Sequence, residues 1–340
     1  MDFDFTPEQY ALRDMARDLF EKESSPARLR ELWVGKPRDP AVWRTLAEVD
    51  LLGLTVSEEH GGAGGDEVDL ALILEEAGRA ALPEPLVETV AVGAPLLSEA
   101  GTEAQREEWL PRIARGEAVV AVQLRDAPFV VDADIADLLL LEGDGELHAV
   151  PSGGFRYRPV TAEDRSRRLF AVEAETSAST RMAGRSTAAA EAFARGATAT
   201  AAVLNGIALR LLEMTVAYVK DRQQFGRPVG SFQAVKHKLA TVYVLTESSR
   251  SATWSAAYAL ARSLPDRHTA AHVAKAHAAD VAALAGAEAL QCHGGIGFTW
   301  EHDLHLWLKR GKALESAFGT AAEHRAAIAG RLREDVPAHE

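Results

Sequence analysis

Apolar residues recur at helical spacing towards both ends of the chain, and take strand-like runs only in its middle. Thr6-Pro7-Glu8-Gln9 opens the first helix: Thr6 can cap, Pro7 suits the first turn, and Gln9 stands where a capping-box partner belongs. Leu12, Met15, Ala16 and Leu19 then mark one apolar stripe. A second helix is expected over 41–49, a glycine-rich loop over 57–65, and a longer helix from Asp69 through Arg79. Helical pattern continues to Pro111, so residues 1–117 read as an all-helical domain.

After Gly116 the pattern changes. Val119–Val122, Ala136–Leu141 and Leu169–Glu173 have the short apolar runs of strands, with turns at Gly143-Asp144-Gly145 and Pro151-Ser152-Gly153-Gly154. This predicts a small β domain over 118–178 that gives way near Ala174 to a Ser/Thr-rich, irregular stretch. From Thr187 helices return, rich in alanine. Val235, Leu239, Val242 and Leu245 keep helical spacing, as do Val273, Val281 and Leu284, and Asp266 is the expected cap after the turn at Ser263. Long antiparallel helices with short loops predict a four-helix bundle over 179–335, with a frayed tail beyond. The expected fold is thus mainly α with a small β domain in the middle.

Composition narrows the chemistry. The 340 residues are 47% apolar and 26% charged, as in a soluble globular protein, and the net charge of −13 disfavours nucleic acid as a partner. A single cysteine, Cys292, allows no intrachain disulfide and points to a reducing compartment. The opening residues lack the basic-then-apolar order of a secretory signal, and no apolar run reaches the roughly 18–20 residues that cross a bilayer. A cytoplasmic protein without a membrane partner is expected.

Two strings carry candidate chemistry. Asp221-Arg222-Gln223-Gln224-Phe225-Gly226-Arg227-Pro228-Val229-Gly230-Ser231-Phe232-Gln233 interrupts two apolar helices. It combines an arginine fork suited to a pyrophosphate, a packed aromatic at Phe225, and the start of the next helix at Gln233. Gln291-Cys292-His293-Gly294-Gly295-Ile296-Gly297 sits at the far end of the same bundle, with glycines that let backbone approach a ligand and Gln291 able to hydrogen-bond it. Other groups read as structural. His302 with His305, and His268 with His272, lack a third metal ligand and are expected on helix surfaces; no metal is expected. Cys292 is expected to pack beside the glycines, and the pairs Glu58-Glu59 and Glu75-Glu76 to be exposed charge.

These strings, together with Phe5 to Gln9, Leu52 to Gly62 and Trp109 to Gly116, resemble the acyl-CoA dehydrogenase family over nearly the whole chain. The resemblance implies a helical domain, a β domain and a helical bundle. It also implies FAD as cofactor, with Arg222, Phe225, Gln233, Gln291, His293, Gly294, Gly295 and Thr320 contributing to its site, and an oligomer in which the flavin ring lies mostly on a neighbouring subunit. The family's base is a glutamate found either just before a late Gly-Thr or early in the first long bundle helix. Here Phe318 precedes Gly319-Thr320, and spacing places Gly196, beside Arg195 and Ala197, at the other position. Glu315 is the nearby fallback, and Glu191 is more than a turn off. The stretch Gln123-Leu124-Arg125-Asp126-Ala127-Pro128 and the absence of Trp between Trp109 and Trp254 depart from the family's ring-side platform.

By resemblance, then, the chain is a base-lacking subunit of an actinobacterial α2β2 acyl-CoA dehydrogenase of steroid side-chain degradation. A larger partner subunit would supply the glutamate, and an acceptor such as an electron-transferring flavoprotein would take the electrons. The alternatives are a homo-oligomeric enzyme using Glu315 and a non-catalytic acyl-CoA- or partner-binding paralogue.

Overall fold

The computed structural model describes residues 4–125 and 127–334, which leaves Asp126 and the expected tail from Asp335 outside the described residues. The chain forms two compact units: Met1–Leu29 with Ala71–Leu82 and Thr200–Glu340, and Arg30–Leu70 with Pro83–Ala199.

The second of these contains α3 (Pro40–Glu48), α5 (Ala94–Ala100), α6 (Glu103–Ala114) and the β region. Strands β1 (Val120–Gln123), β3 (Leu138–Gly143), β4 (Glu146–Pro151) and β7 (Arg181–Arg185) form a four-stranded sheet in that order, and only β1 and β3 run parallel. A three-stranded sheet has the order β2 (Val130–Val131), β6 (Leu169–Ala174), β5 (Phe155–Val160). Leu139, Leu141, Val150, Phe155 and Phe170 are buried in one cluster. The β3–β4 turn is the expected one: Asp144 and Gly145 take φ of 51° and 77°, the two positive angles of a type I′ hairpin. β7 lies where an irregular stretch was expected. Its Arg-Met-Ala-Gly-Arg sequence has little strand pattern, and pairing to β4 supplies what propensity does not. Before β1, Val87–Gly93 is a π-helix that buries Glu88; desolvation pushes that carboxyl upward, with Arg167 Nη2 at 3.5 Å.

The other unit holds α1 (Pro7–Glu23), residues 71–79 of α4 (Glu67–Arg79), and residues 200–221 of α7 (Ser186–Asp221). To these it adds α8 (Gln233–Ala261), α9 (Arg267–His293), α10 (Leu304–Leu314) and α11 (Ala321–Glu334). Thr6 and Gln9 close the expected capping box on α1. Helix α9 packs through small side chains: Ala271, Ala274, Ala278, Ala282, Ala285 and Ala289 are buried, while Val273 is exposed. Of the large apolar residues expected to mark the inner face, Val281 is buried with them, Leu284 is half-buried and Val273 is not, so the pattern was only a partial guide. Asp266 precedes α9 without making a side-chain cap. Helix α7 is long and apolar enough, by length and composition, to cross a bilayer, contrary to the sequence reading, but 56% of that stretch is buried inside the protein.

Glu75 and Glu76 are not exposed charge. They are 2% and 1% exposed, and each meets arginine forks. Arg250 grips Glu75 through Nε–Oε2 and Nη2–Oε1 contacts of 2.8 and 2.7 Å, while Arg17 does the same to Glu76 at 2.9 and 2.6 Å. A carboxylate held this far from water depends on its partner, because removal of the cation leaves a buried charge uncompensated. Arg250→Met is therefore expected to lower unfolding free energy by about 3 kcal/mol in urea titration. Arg13→Ala, which breaks a partly exposed contact to Asp14 and a cation–π contact with the Tyr10 ring, should cost under about 1 kcal/mol.

Candidate functional site

The arginine string is a small hairpin rather than an irregular loop. Gln223–Gln224 (β8) pairs antiparallel with Arg227–Pro228 (β9), and Phe225 and Gly226 form the turn with φ of 54° and 77°. The Val229 amide donates to the Arg222 carbonyl at 2.7 Å, closing the hairpin's base beside the last turn of α7. Phe225 is not packed as expected. It stands 91% exposed at the hairpin tip, with the edge of Phe232 6.1 Å away, because a two-residue turn projects its side chains outward. Arg222 is exposed, and Arg227 instead lies over the Phe232 ring at 4.0 Å. Helix α8 starts at Gln233 without a side-chain cap. Its first N–H groups and the positive end of its dipole therefore stand beside Ser231, whose buried Oγ has no hydrogen-bond partner among the described residues.

The second string ends α9. Gly294 takes φ of 63°, and a side chain built at Gly294 or Gly295 would meet open space, so this backbone is accessible. His293 is 4% exposed and bonds the Ala289 carbonyl through Nδ1 at 2.8 Å. Because a carbonyl only accepts, Nδ1 carries the proton and Nε2 is left as a buried acceptor with no hydrogen-bond partner among the described residues. Desolvation depresses this imidazole's pKa and keeps it neutral. Its ring stacks on Tyr218 at 4.4 Å and meets His302 edge-on at 4.7 Å.

Tyr218 is one turn before Arg222, so the two strings are neighbours, not at opposite ends of the bundle. The physical reason is direction: α7 and α9 run the same way with α8 reversed between them, which collects the end of α7, the start of α8 and the end of α9 together. Gln233 and Gln291 are both exposed. Cys292 is half-buried, and burial pushes its thiol upward, which suits packing and not nucleophilic chemistry.

Thr320 stands elsewhere. Its hydroxyl and amide both bond Glu323 in a cap of α11, and the preceding turn is held by Lys275 of α9. Lys275 is 18 positions before His293, about 27 Å along a helix, so Thr320 does not join the Arg222 and Gln291 cluster within this chain. Phe318 is half-buried with φ of 50°. Glu315 pairs with Lys312 at 2.6 Å, an ordinary surface contact. In the other unit Gly196 is buried, and Arg195 beside it pairs with Glu67 at 2.6 Å and also with Glu99. Neither base position holds a carboxylate. After β1, Gln123 Nε2 donates to the Ala127 carbonyl, folding that departing stretch onto itself.

Of the expected surface histidines, His305 is buried beside Trp300, and His302 Nδ1 accepts from the Leu304 amide. Tyr218, Lys275 and His324 were missed by sequence reasoning, and Ser231 was read there for its backbone but not for its hydroxyl. Only Lys275 carried a signal, as a lone cation amid the small residues of α9.

The residues present fit one end of an anionic dinucleotide. Arg222, the open start of α8, the orphaned Ser231 hydroxyl, the His293 acceptor and the accessible Gly294-Gly295 backbone supply charge, donors and close approach.

Comparison with known proteins identifies the family. The model of the acyl-CoA dehydrogenase N-terminal domain matches residues 6–117, and that of the acyl-CoA dehydrogenase C-terminal domain matches 184–333. The chain is 37% identical over 312 residues to acyl-CoA dehydrogenase IpdE2 of Mycobacterium tuberculosis, covering 89% of this chain and 90% of that protein. It is 34% identical to FadE34 of the same organism over 92% of this chain but 46% of that longer one. A variant of the Tcur3481-Tcur3483 steroid acyl-CoA dehydrogenase superposes with a TM-score of 0.86 at 28% identity, covering 96% of this chain and 98% of that one. The ChsE4-ChsE5 complex of Mycobacterium tuberculosis shares the fold, with a TM-score of 0.90 at 24% identity over 99% of this chain and 100% of that one. By motif, fold and relatives alike, this chain belongs to the acyl-CoA dehydrogenase family.

Proposed function

We propose that the chain is one subunit of an FAD-dependent acyl-CoA dehydrogenase that desaturates an acyl-CoA thioester between its α and β carbons, the catalytic glutamate coming from a larger partner subunit. The observation that carries this reading is that Phe318 and Gly196 fill the two base positions in a chain that keeps the residues for a dinucleotide end. When bound, FAD supplies the hydride acceptor. Arg222 would neutralise and orient its pyrophosphate, the start of α8 would add backbone donors, and Gln291, His293 and the Gly294-Gly295 backbone would hold the adenosine side. Gln233 and Phe225 border the same end.

Two further observations support an assembly. Phe225, Phe298 and Trp300 are exposed around the cluster, the kind of aromatic surface that a partner covers. FadE34 has more than twice the length that this chain matches, which leaves room there for a second half. The relative named as a steroid enzyme favours a steroid side-chain CoA ester as substrate. An electron-transferring flavoprotein is the matching acceptor, and the cytoplasm the matching compartment. Glu315, tied to Lys312, does not favour a self-sufficient enzyme.

The test is to make the chain alone and with an acyl-CoA dehydrogenase encoded beside it, then record flavin absorbance, assembly size and dye reduction. Flavin and turnover only in the co-expressed complex support the reading, whereas a yellow, active protein made alone overturns it. Within that complex Arg222→Ala is expected to weaken FAD binding by about 2 kcal/mol, the scale of a charge-assisted hydrogen bond, as read by flavin fluorescence. Glu315→Gln is expected to leave the dye-reduction rate unchanged within about twofold, since a surface ion pair contributes little.

A further inference from the structure

One buried group has no part in the flavin cluster. Lys275 is 0% exposed in the middle of α9, where its neighbours Ala274 and Ala276 are also buried. Its Nζ donates to the carbonyls of Glu315 and Gly319 at 2.9 and 3.0 Å. From α11, His324 Nε2 lies 2.9 Å from the carbonyl of Phe318, between those two. A carbonyl only accepts, so His324 carries its proton on Nε2, and its Nδ1 is the acceptor for His272 Nδ1–H at 2.7 Å. Burial, Lys275 and His272 push the His324 pKa down to about 4, so the ring is neutral near pH 7, as this tautomer chain requires.

We propose that Lys275, His324 and His272 form a positioning network that locks the Glu315–Thr320 turn in the shape that presents Phe318 and Thr320 to a flavin site. This rests on the subunit reading above. The turn needs such a lock because Phe318 sits at φ of 50° and Gly319 at 92°. A phenylalanine in the left-handed region is strained and persists only where its surroundings over-determine it. Three of the turn's carbonyls, 315, 318 and 319, are gripped by side chains from two helices. An apolar residue at 275 would fill the same interior without the desolvation cost of an amino group, so the polar choice serves shape.

Hydrogen exchange of the peptide spanning 314–321, measured in the full chain, reads the lock directly. Lys275→Met and His324→Phe, each of which removes two hydrogen bonds, are expected to speed that exchange at least about tenfold. His324→Gln, which keeps an N–H for the Phe318 carbonyl, should stay within about threefold. Asn205→Ala controls for general loosening: it removes buried bonds to Ser249 and Thr253 elsewhere in the bundle and should leave this peptide unchanged. In the assembled complex Lys275→Met is expected to raise the FAD Kd about tenfold, and Asn205→Ala not at all. Unchanged exchange in Lys275→Met would overturn the lock. Faster exchange with an unchanged FAD Kd would overturn its service to the cofactor. A wild-type complex that binds no FAD would remove the subunit reading and the cofactor half of this proposal, while the exchange comparison would still decide the lock.

Discussion

Where α4 meets α7 the two helices touch backbone to backbone. A methyl group at Gly78 would strike the Val203 carbonyl, and one at Gly206 would strike that of Glu75. Such an approach leaves no layer of side chains between the helices, and much else in this unit follows from it. Glu75 and Glu76 are carried inside, where the forks of Arg250 and Arg17, with Arg79 beside Glu76, make them tolerable. The two forks tie α8 and α1 to α4. With α7 thus registered, its last turn delivers Tyr218 beside His293 and Arg222 at the base of the hairpin.

Legibility in the sequence followed the nature of each signal. Turns with a stereochemical demand were readable: Asp144-Gly145 was placed as a hairpin because two positive φ angles select such residues. The capping box at Thr6 and Gln9 was readable for the same local reason. Elements stabilised by distant partners were not. β7 exists because β4 pairs with it, and Glu75-Glu76 look like surface charge until Arg250, 175 positions away from Glu75, arrives. Helix α9 hid most of its inner face because alanine is neither strongly apolar nor polar, and of the two valines in its pattern Val281 is buried while Val273 points outward.

The candidate site was legible as a set of letters and not as an arrangement. The two glycine- and arginine-bearing strings were found, but their adjacency depends on the direction of the helices between them. Resemblance assigns Thr320 to the same cofactor as that cluster, yet it stands beside a different part of α9. Two separated groups of candidate residues suit the proposed reading, in which another chain completes the sites. The absence of a carboxylate at Phe318 is then compatible with an intact turn around it.

The alanine lining of α9 bears on the entropy of folding. A methyl side chain has no rotamers to freeze, whereas a leucine in its place gives up about 0.5–1 kcal/mol of freedom on burial. Alanine also has the most favourable intrinsic preference for the helical backbone. The helix thus meets its neighbours at short range with little disorder to suppress. Its stiffness comes from degrees of freedom that the chain never possessed.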